Sequence, residues 1–260
     1  MAKGMTDSKH YQNIAHAIRS AGSYEGPIAP EQMAERITQM AQAAYQAGGQ
    51  EEYDRFWESA MESTDFTYRF SGGCWNDATF KPTKDINPTG NAYNLFYHNR
   101  IADLRGILEE CGVKLDLSNC TGRVDNMFSY SSYLTAIPYL DLRNVTTTYA
   151  NTFGNMFNSC VSLHTIECMH LRDDGSQKFT STFAGCSALE NLTIQGTIGQ
   201  NDLNVSNCIA LTHDSLMSVI NALAEKSSET GYAVTLGWRN LAKLTDAEKA
   251  IATQKGWTLA

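Results

Sequence analysis

The stretch HTIECMH places His164, Glu167 and His170 within seven residues, and two imidazoles with one carboxylate are a donor set that can hold a metal ion. Separations of three fit neither the i, i+4 pair of a helix face nor the i, i+2 pair of a strand face, so the spacing does not aim the three side chains at one point. His213, Asp214 and Ser215 supply the residue types of a hydrolytic triad. They are adjacent in the chain, whereas triad members converge from separate elements, and their place before Leu216 suits a helix start. Glu109, Glu110, Asp173 and Asp174 are carboxylates of the kind a glycosidase uses as acid and nucleophile. Nothing in their spacing forces two of them across a sugar. There is no glycine-rich phosphate loop and no nucleophile elbow. The expectation is a protein with no catalytic residues, no metal site and no cofactor.

Composition narrows the partners. The chain has 260 residues, 42% of them hydrophobic, and a formal net charge of −8. That is enough apolar material for a real core. Lys and Arg are scattered, so no cationic surface is expected for nucleic acid or an anionic membrane. No apolar run approaches the roughly 20 residues that span a bilayer, and MAKGMTDSKHYQNIAHAIRS lacks the apolar core of a secretory signal peptide. Synthesis and assembly in the cytoplasm are the expectation. The seven cysteines contain no C-x-x-C pair and are read as reduced, mostly buried side chains. The sequons at Asn119, Asn144, Asn191 and Asn204 are not read as glycosylated, because no export signal accompanies them.

The elements that would position any site are written in a repeat. From Phe157, Cys160 lies three residues on, Leu163 six and Ile166 nine, followed by Met169 and Leu171. Phe128 leads Leu134, Ile137, Leu140 and Leu142 at the same offsets, and Phe183 leads Cys186, Leu189 and Leu192 before the pattern shortens to Ile194. LDLSNCT at 115–121 matches LDLRNVT at 140–146, and Cys208 with Leu211 keeps the Cys to Leu spacing. The Phe residues are 29 and then 26 apart, within the roughly 20 to 50 residue periods of stacked repeats. A unit this small cannot bury its own apolar face. The Phe to Cys segment is expected to be a short helical or irregular turn, followed by extended chain. Alternation then buries Ile137, Ile166 and Leu192 and exposes Pro138, Glu167 and Thr193. Asp116, Asp141 and His170, each between two core residues, are also expected outside. Asn119 and Asn144 fall where the chain must turn, and their side chains can bond nearby backbone.

The order MF-x-x-C-x-x-L-x-x-I-x-x-LDL-x-NVT resembles the BspA-type leucine-rich repeat, an irregular bacterial variety, over residues 90 to 211. NLAKLTDAEKAIATQKGWTLA, from Asn240, resembles the end of such proteins carried by prophages of Gram-positive gut bacteria. IAHAIR followed by PEQMAERI resembles the N-terminal segment of phage structural proteins. The fold implied is an α/β repeat solenoid of irregular leucine-rich-repeat type, with an N-terminal α-helical segment and a mixed α/β C-terminal cap.

The two ends read differently. Residues 1–62 have helical period at Tyr11, Ile14, Ala15 and Ile18, then a second run at Met33, Ile37, Met40, Ala44 and Ala47 with coiled-coil spacing, then Tyr53, Phe56, Trp57 and Ala60. These helices either pack on the repeats or form an oligomerisation and docking element. Residues 63–90, rich in aromatic and turn residues, are read as an N-terminal cap within a 63–260 repeat domain. Residues 209–260 close the other end: a helix through Leu216, Val219, Ile220 and Leu223, a strand GYAVTLG, a capping box of Thr245 with Glu248, a helix ended by Gly256, and a strand WTL.

Rigid repeats with a variable outer face suit recognition better than catalysis. The resemblance implies a phage tail-associated structural protein of the virion that attaches to a host-surface glycan or protein. Asp116, Asp141, Glu167, His170 and Thr193 would bind the ligand, while the N-terminal helices would join other tail proteins or a second copy. A glycan-degrading tail enzyme and a bacterial surface adhesin are the alternatives.

Overall fold

The computed structural model describes residues 66, 69–71, 75–78, 80–146, 152–200, 202–226, 228 and 231–260. The helices expected in residues 1–62 lie outside the described residues, as does part of the expected 63–90 cap.

Phe96, Phe128, Phe157 and Phe183 form one column of buried rings. Successive centroids are 5.3, 5.5 and 5.8 Å apart, with interplanar angles of 2°, 9° and 19°. What holds the rings in line is a turn with two left-handed residues, one two positions before each Phe and one two positions after. Asn94, Asn126, Asn155 and Ser181 take the first place, with φ of 53–55°. His98, Tyr130, Ser159 and Gly185 take the second, with φ of 53°, 62°, 61° and 79°. Asn tolerates this conformation and Gly adopts it freely. Backbone N–H groups freed by the turn donate to the next turn: Phe128 to the carbonyl of Met156 at 2.8 Å, Tyr130 to Asn158 at 2.7 Å, and Phe157 to Thr182 at 3.0 Å.

The cysteines of the repeat have a defined task in this column. Three positions after Phe128, the Ser131 hydroxyl donates to the carbonyl of Phe96 at 2.7 Å. The Cys160 thiol donates to Phe128 at 3.1 Å and the Cys186 thiol to Phe157 at 3.0 Å. Asn99, three after Phe96, does the same for Phe70 through its amide at 2.8 Å. Each side chain caps a buried carbonyl of the preceding turn. Burial pushes the Cys186 thiol up to about 12 and raises Cys160 well above the ordinary thiol value, so both remain S–H donors.

Extended chain follows each turn. β1 (Ala136–Asp141), β2 (Thr165–His170) and β3 (Asn191–Gln195) form a parallel sheet in which Ile137, Ile166 and Leu192 are in register and buried. The shortened third repeat appears as a bulge: Ile166 and Met169 of β2 face Leu192 and Ile194 of β3, so β2 holds one extra residue.

The expectation of a repeat solenoid is corrected here. Parallel pairing does not run on through the repeats. It is confined to these three strands and to a separate two-stranded sheet, β4 (Tyr232–Val234) with β5 (Trp257–Leu259), and the described residues also hold four helices. Elsewhere among the described residues, apart from the turn-to-turn hydrogen bonds of the Phe column, strand-type pairing is limited to single parallel bridges, such as Ile86 with Leu115 and Ile198 with Leu223. The physical reason lies at the sheet's two edges. Before β1 the chain bridges once, Asp103 to Ala136, and then enters helix α1 (Leu104–Cys111). After β3, helix α2 (His213–Ala222) presents serines instead of backbone: Ser215 Oγ accepts from the Leu192 N–H at 2.9 Å and Ser218 Oγ from the Ile194 N–H at 2.8 Å. The edge donors are satisfied and no fourth strand forms.

The remaining helices are α3 (Trp238–Leu241) and α4 (Asp246–Gln254), and α4 opens with the expected Thr245–Glu248 capping box. Lys255 donates to the carbonyls of Asn221 and Leu223 at 2.7 and 2.9 Å, neutralising the end of α2. His213 meets Glu248 at 2.8 Å, tying the start of α2 to α4.

Candidate binding cleft

Helix α1 creates a cleft because it stands where the next strand would be. Asp103 caps it, accepting from the Gly106 N–H at 2.8 Å, and Gly112 stops it with φ of 68°. Leu104, Ile107 and Leu108 bury the inner face. Arg105 and Glu109 are left outside, 2.9 Å apart on one turn. The chain then returns along Ile86, with the Ile86 N–H bonded to the Lys114 carbonyl at 2.8 Å and the Asp116 N–H to the Ile86 carbonyl at 2.9 Å. Between this return and the strands opens a cleft of about 440 Å³. Its walls are Arg105, Leu108 and Glu109 of α1, Val113 to Ser118 of the return, Pro138, Tyr139 and Asp141 of β1, and Glu167 of β2.

Each charge in the cleft has a particular setting. Asp116 accepts from the Ser118 N–H at 2.9 Å, and Lys114 lies 3.6 Å away. The Ser118 hydrogen bonds hold its carboxyl below the usual aspartate value. Asp141 receives a fork from Arg143, at 2.9 Å from Nε and 2.6 Å from Nη2, and that fork lowers its pKa likewise. The hydrogen bond to Glu109, with the nearby Glu109 and Glu167 charges, holds Arg105 protonated. Tyr139, 40% exposed, shares a 2.6 Å hydrogen bond with Nδ1 of His170, which fixes its ring against the cleft. Desolvation raises the Tyr139 hydroxyl further from ionisation.

Three of the five residues expected to bind ligand, Asp116, Asp141 and Glu167, thus come together in one cleft. His170 sits behind it as the partner of Tyr139. Thr193 is exposed on β3 and does not line the cleft. The outward placement of the acidic positions needs correction. Asp141 is buried, at 8% exposure, because Arg143 folds back over it, and Asp116 and His170 are half-buried. The metal reading of His164, Glu167 and His170 gains no geometry: among the described residues no three His, Cys, Asp or Glu side chains form a metal-sized group. The four carboxylates considered for glycosidase chemistry do not converge. Glu109 is in the cleft, Glu110 pairs with Lys81 at 3.0 Å, Asp174 pairs with Arg172, and Asp173 is exposed.

Arg105, Leu108, Lys114 and Tyr139 were not singled out from the sequence. The signal for α1 is present in LRGILEEC, with Leu104, Ile107, Leu108 and Cys111 at helical spacing between Asp103 and Gly112.

No family model, no curated protein and no solved structure matches the chain. Among the described residues no helix is long and apolar enough to cross a membrane.

Proposed function

We propose that this protein is a non-enzymatic recognition protein, a tail-associated component of a phage or prophage particle that binds a host-surface ligand through the cleft beside α1. The observation that carries the binding reading is the meeting of a fixed, exposed Tyr139 with carboxylates from four segments, α1, the return, β1 and β2, in one open cleft. Such a mixture of aromatic surface and placed acceptors is what small-ligand sites use. Hydroxyl groups of a glycan would donate to the carboxylates while a sugar face lies on the tyrosine ring. Hydrolysis is the poorer reading. A glycosidase needs one carboxyl held protonated to serve the leaving group, whereas hydrogen bonds hold Asp116 and Asp141 ionised. The tail association rests on the resemblance of residues 14–19, 30–37 and 240–260 to phage proteins, and the host contact on the outward position of the cleft.

Incubating the purified protein with host cells and with their extracted surface polysaccharide tests this reading. Saturable binding that Tyr139→Ala weakens, with no release of new reducing ends from the polysaccharide, is the expected result. Release of reducing ends would establish the enzyme instead. Proteomic detection of the chain in purified particles checks the virion assignment.

A further inference from the structure

The cleft's charges are not evenly matched, and the mismatch specifies a ligand more narrowly than recognition of a host surface does. Glu109 is paired with Arg105, Asp116 with Lys114 and the Ser118 N–H, and Asp141 with Arg143. Glu167 is different. It stands exposed on β2 at the cleft wall, makes no hydrogen bond or ion pair among the described residues, and reaches Arg105, already bonded to Glu109, only through space. On the neighbouring strand, β1 supplies Pro138 and Tyr139, the latter in register with Cys168, and His170 holds the Tyr139 ring through its hydroxyl. A ligand entering the cleft therefore meets an aromatic ring beside a carboxylate that has no cation of its own, since Glu109, Asp116, Asp141 and Glu167 face only Arg105, Lys114 and Arg143.

We infer that the cleft selects a sugar bearing a protonated amine, an amino sugar in its non-acetylated form. The ammonium group satisfies Glu167 by a charge-assisted hydrogen bond and gains from the Tyr139 ring. The sugar's hydroxyls have the Asp116 carboxylate, whose Oδ2 is 3.6 Å from Lys114, as an acceptor. Anionic polymers are disfavoured, since they would bring negative charge to Glu167 on a chain of net charge −8. This inference rests on the recognition reading above and narrows its ligand class.

Titration of the full chain with a fully deacetylated chito-oligosaccharide, with its N-acetylated counterpart of equal length, and with spermidine tests it, at a pH where the amines are protonated. The expected result is binding of the deacetylated sugar about tenfold tighter than the acetylated one, with spermidine weaker than either. Glu167→Gln should erase the preference, bringing the affinity for the deacetylated sugar down to that for its acetylated counterpart. Equal affinity for the two sugars, a preference that survives in Glu167→Gln, spermidine binding as tight as the deacetylated sugar, or no binding of either sugar would each overturn the inference. If the acetylated sugar binds equally well and Tyr139→Ala abolishes that binding, the recognition reading stands and only the amine selectivity falls. Host polysaccharide that fails to bind would defeat the broader reading as well.

Discussion

Phe128, Phe157 and Phe183 face inward from three repeats and do the same thing in each, whereas the outer positions of the same three repeats share no chemistry: Pro138, expected to be exposed, is half-buried, and Glu167 and Thr193 are exposed. The inner positions answer to one requirement, the stacking distance of the turn before and the turn after. The outer positions answer to nothing in the backbone. The contrast extends to the polar residues. Asn99, Ser131, Cys160 and Cys186 differ in type but deliver one hydrogen bond to one kind of carbonyl. Asp116 and Asp141 occupy matching places in two LDL segments and each accepts from the backbone N–H two residues on, yet Lys114 stands beside the one and the Arg143 side chain folds over the other. Sameness marks what the fold demands, and difference marks where a ligand can be accommodated.

The strongest test of the inner column is Phe157→Ala. Its ring lies between those of Phe128 and Phe183 and is fully buried, so truncation leaves a cavity with aromatic walls on two sides. A loss of about 3 to 5 kcal/mol is expected, read from denaturant unfolding. A loss below about 1 kcal/mol would show that the column is not the structural spine.

The capping series gives the next largest effect and a sharper comparison. Ser131 is 1% exposed, donates to the Phe96 carbonyl and accepts from the Asn99 N–H at 3.1 Å. Ser131→Ala should cost about 1 to 3 kcal/mol, because it leaves buried groups without partners. Ser131→Cys should cost less, since Cys already does this work after Phe157 and Phe183. Equal losses for the two substitutions would mean that the position is not equivalent between repeats.

These same residues show what could be read in advance. Leu134, Ile137 and Leu140 match Leu163, Ile166 and Met169 in sequence because burial permits only apolar side chains there, and all six are buried in the structure. Phe96 escaped notice because Asn99 replaces Cys at the third position and α1 stretches the interval to Phe128 to 32 residues. The extent of the sheet was not legible either. It depends on hydroxyls of Ser215 and Ser218 meeting the edge of β3, a tertiary contact that no local pattern announces. Nor was the burial of Asp141, which depends on Arg143 two residues on turning back. The cleft itself is the consequence of an eight-residue helix whose signal was present and whose position against β1 was not.

Asp141 sits where the two regions meet, and its effect on stability should depend on pH. The Arg143 fork depresses its folded-state pKa. Its contribution is therefore present above the ordinary aspartate value and is lost as pH falls through the depressed folded value. Asp141→Asn should lower Tm at neutral pH, by less than Ser131→Ala does because Arg143 is half exposed. The wild-type and variant melting curves should converge in acid, where the wild-type side chain is also neutral. A constant difference across the whole range would assign the role to shape instead of charge.

Glu167→Gln should have the smallest effect on the fold and so isolates the outer surface from the inner column. The side chain is exposed, makes no hydrogen bond or ion pair among the described residues, and occupies a strand position where Pro138 and Thr193 serve equally well in the neighbouring repeats. Stability should stay within about 0.5 kcal/mol of wild type. Exposure of the removed charge near Arg105 makes a large compensating change unnecessary, because Glu109 keeps Arg105 paired at 2.9 Å. Unfolding measurements on the variant would show whether this holds. If Glu167→Gln unfolds as readily as Ser131→Ala, the carboxylate belongs to the framework, and its availability to a ligand can no longer be argued from the cleft.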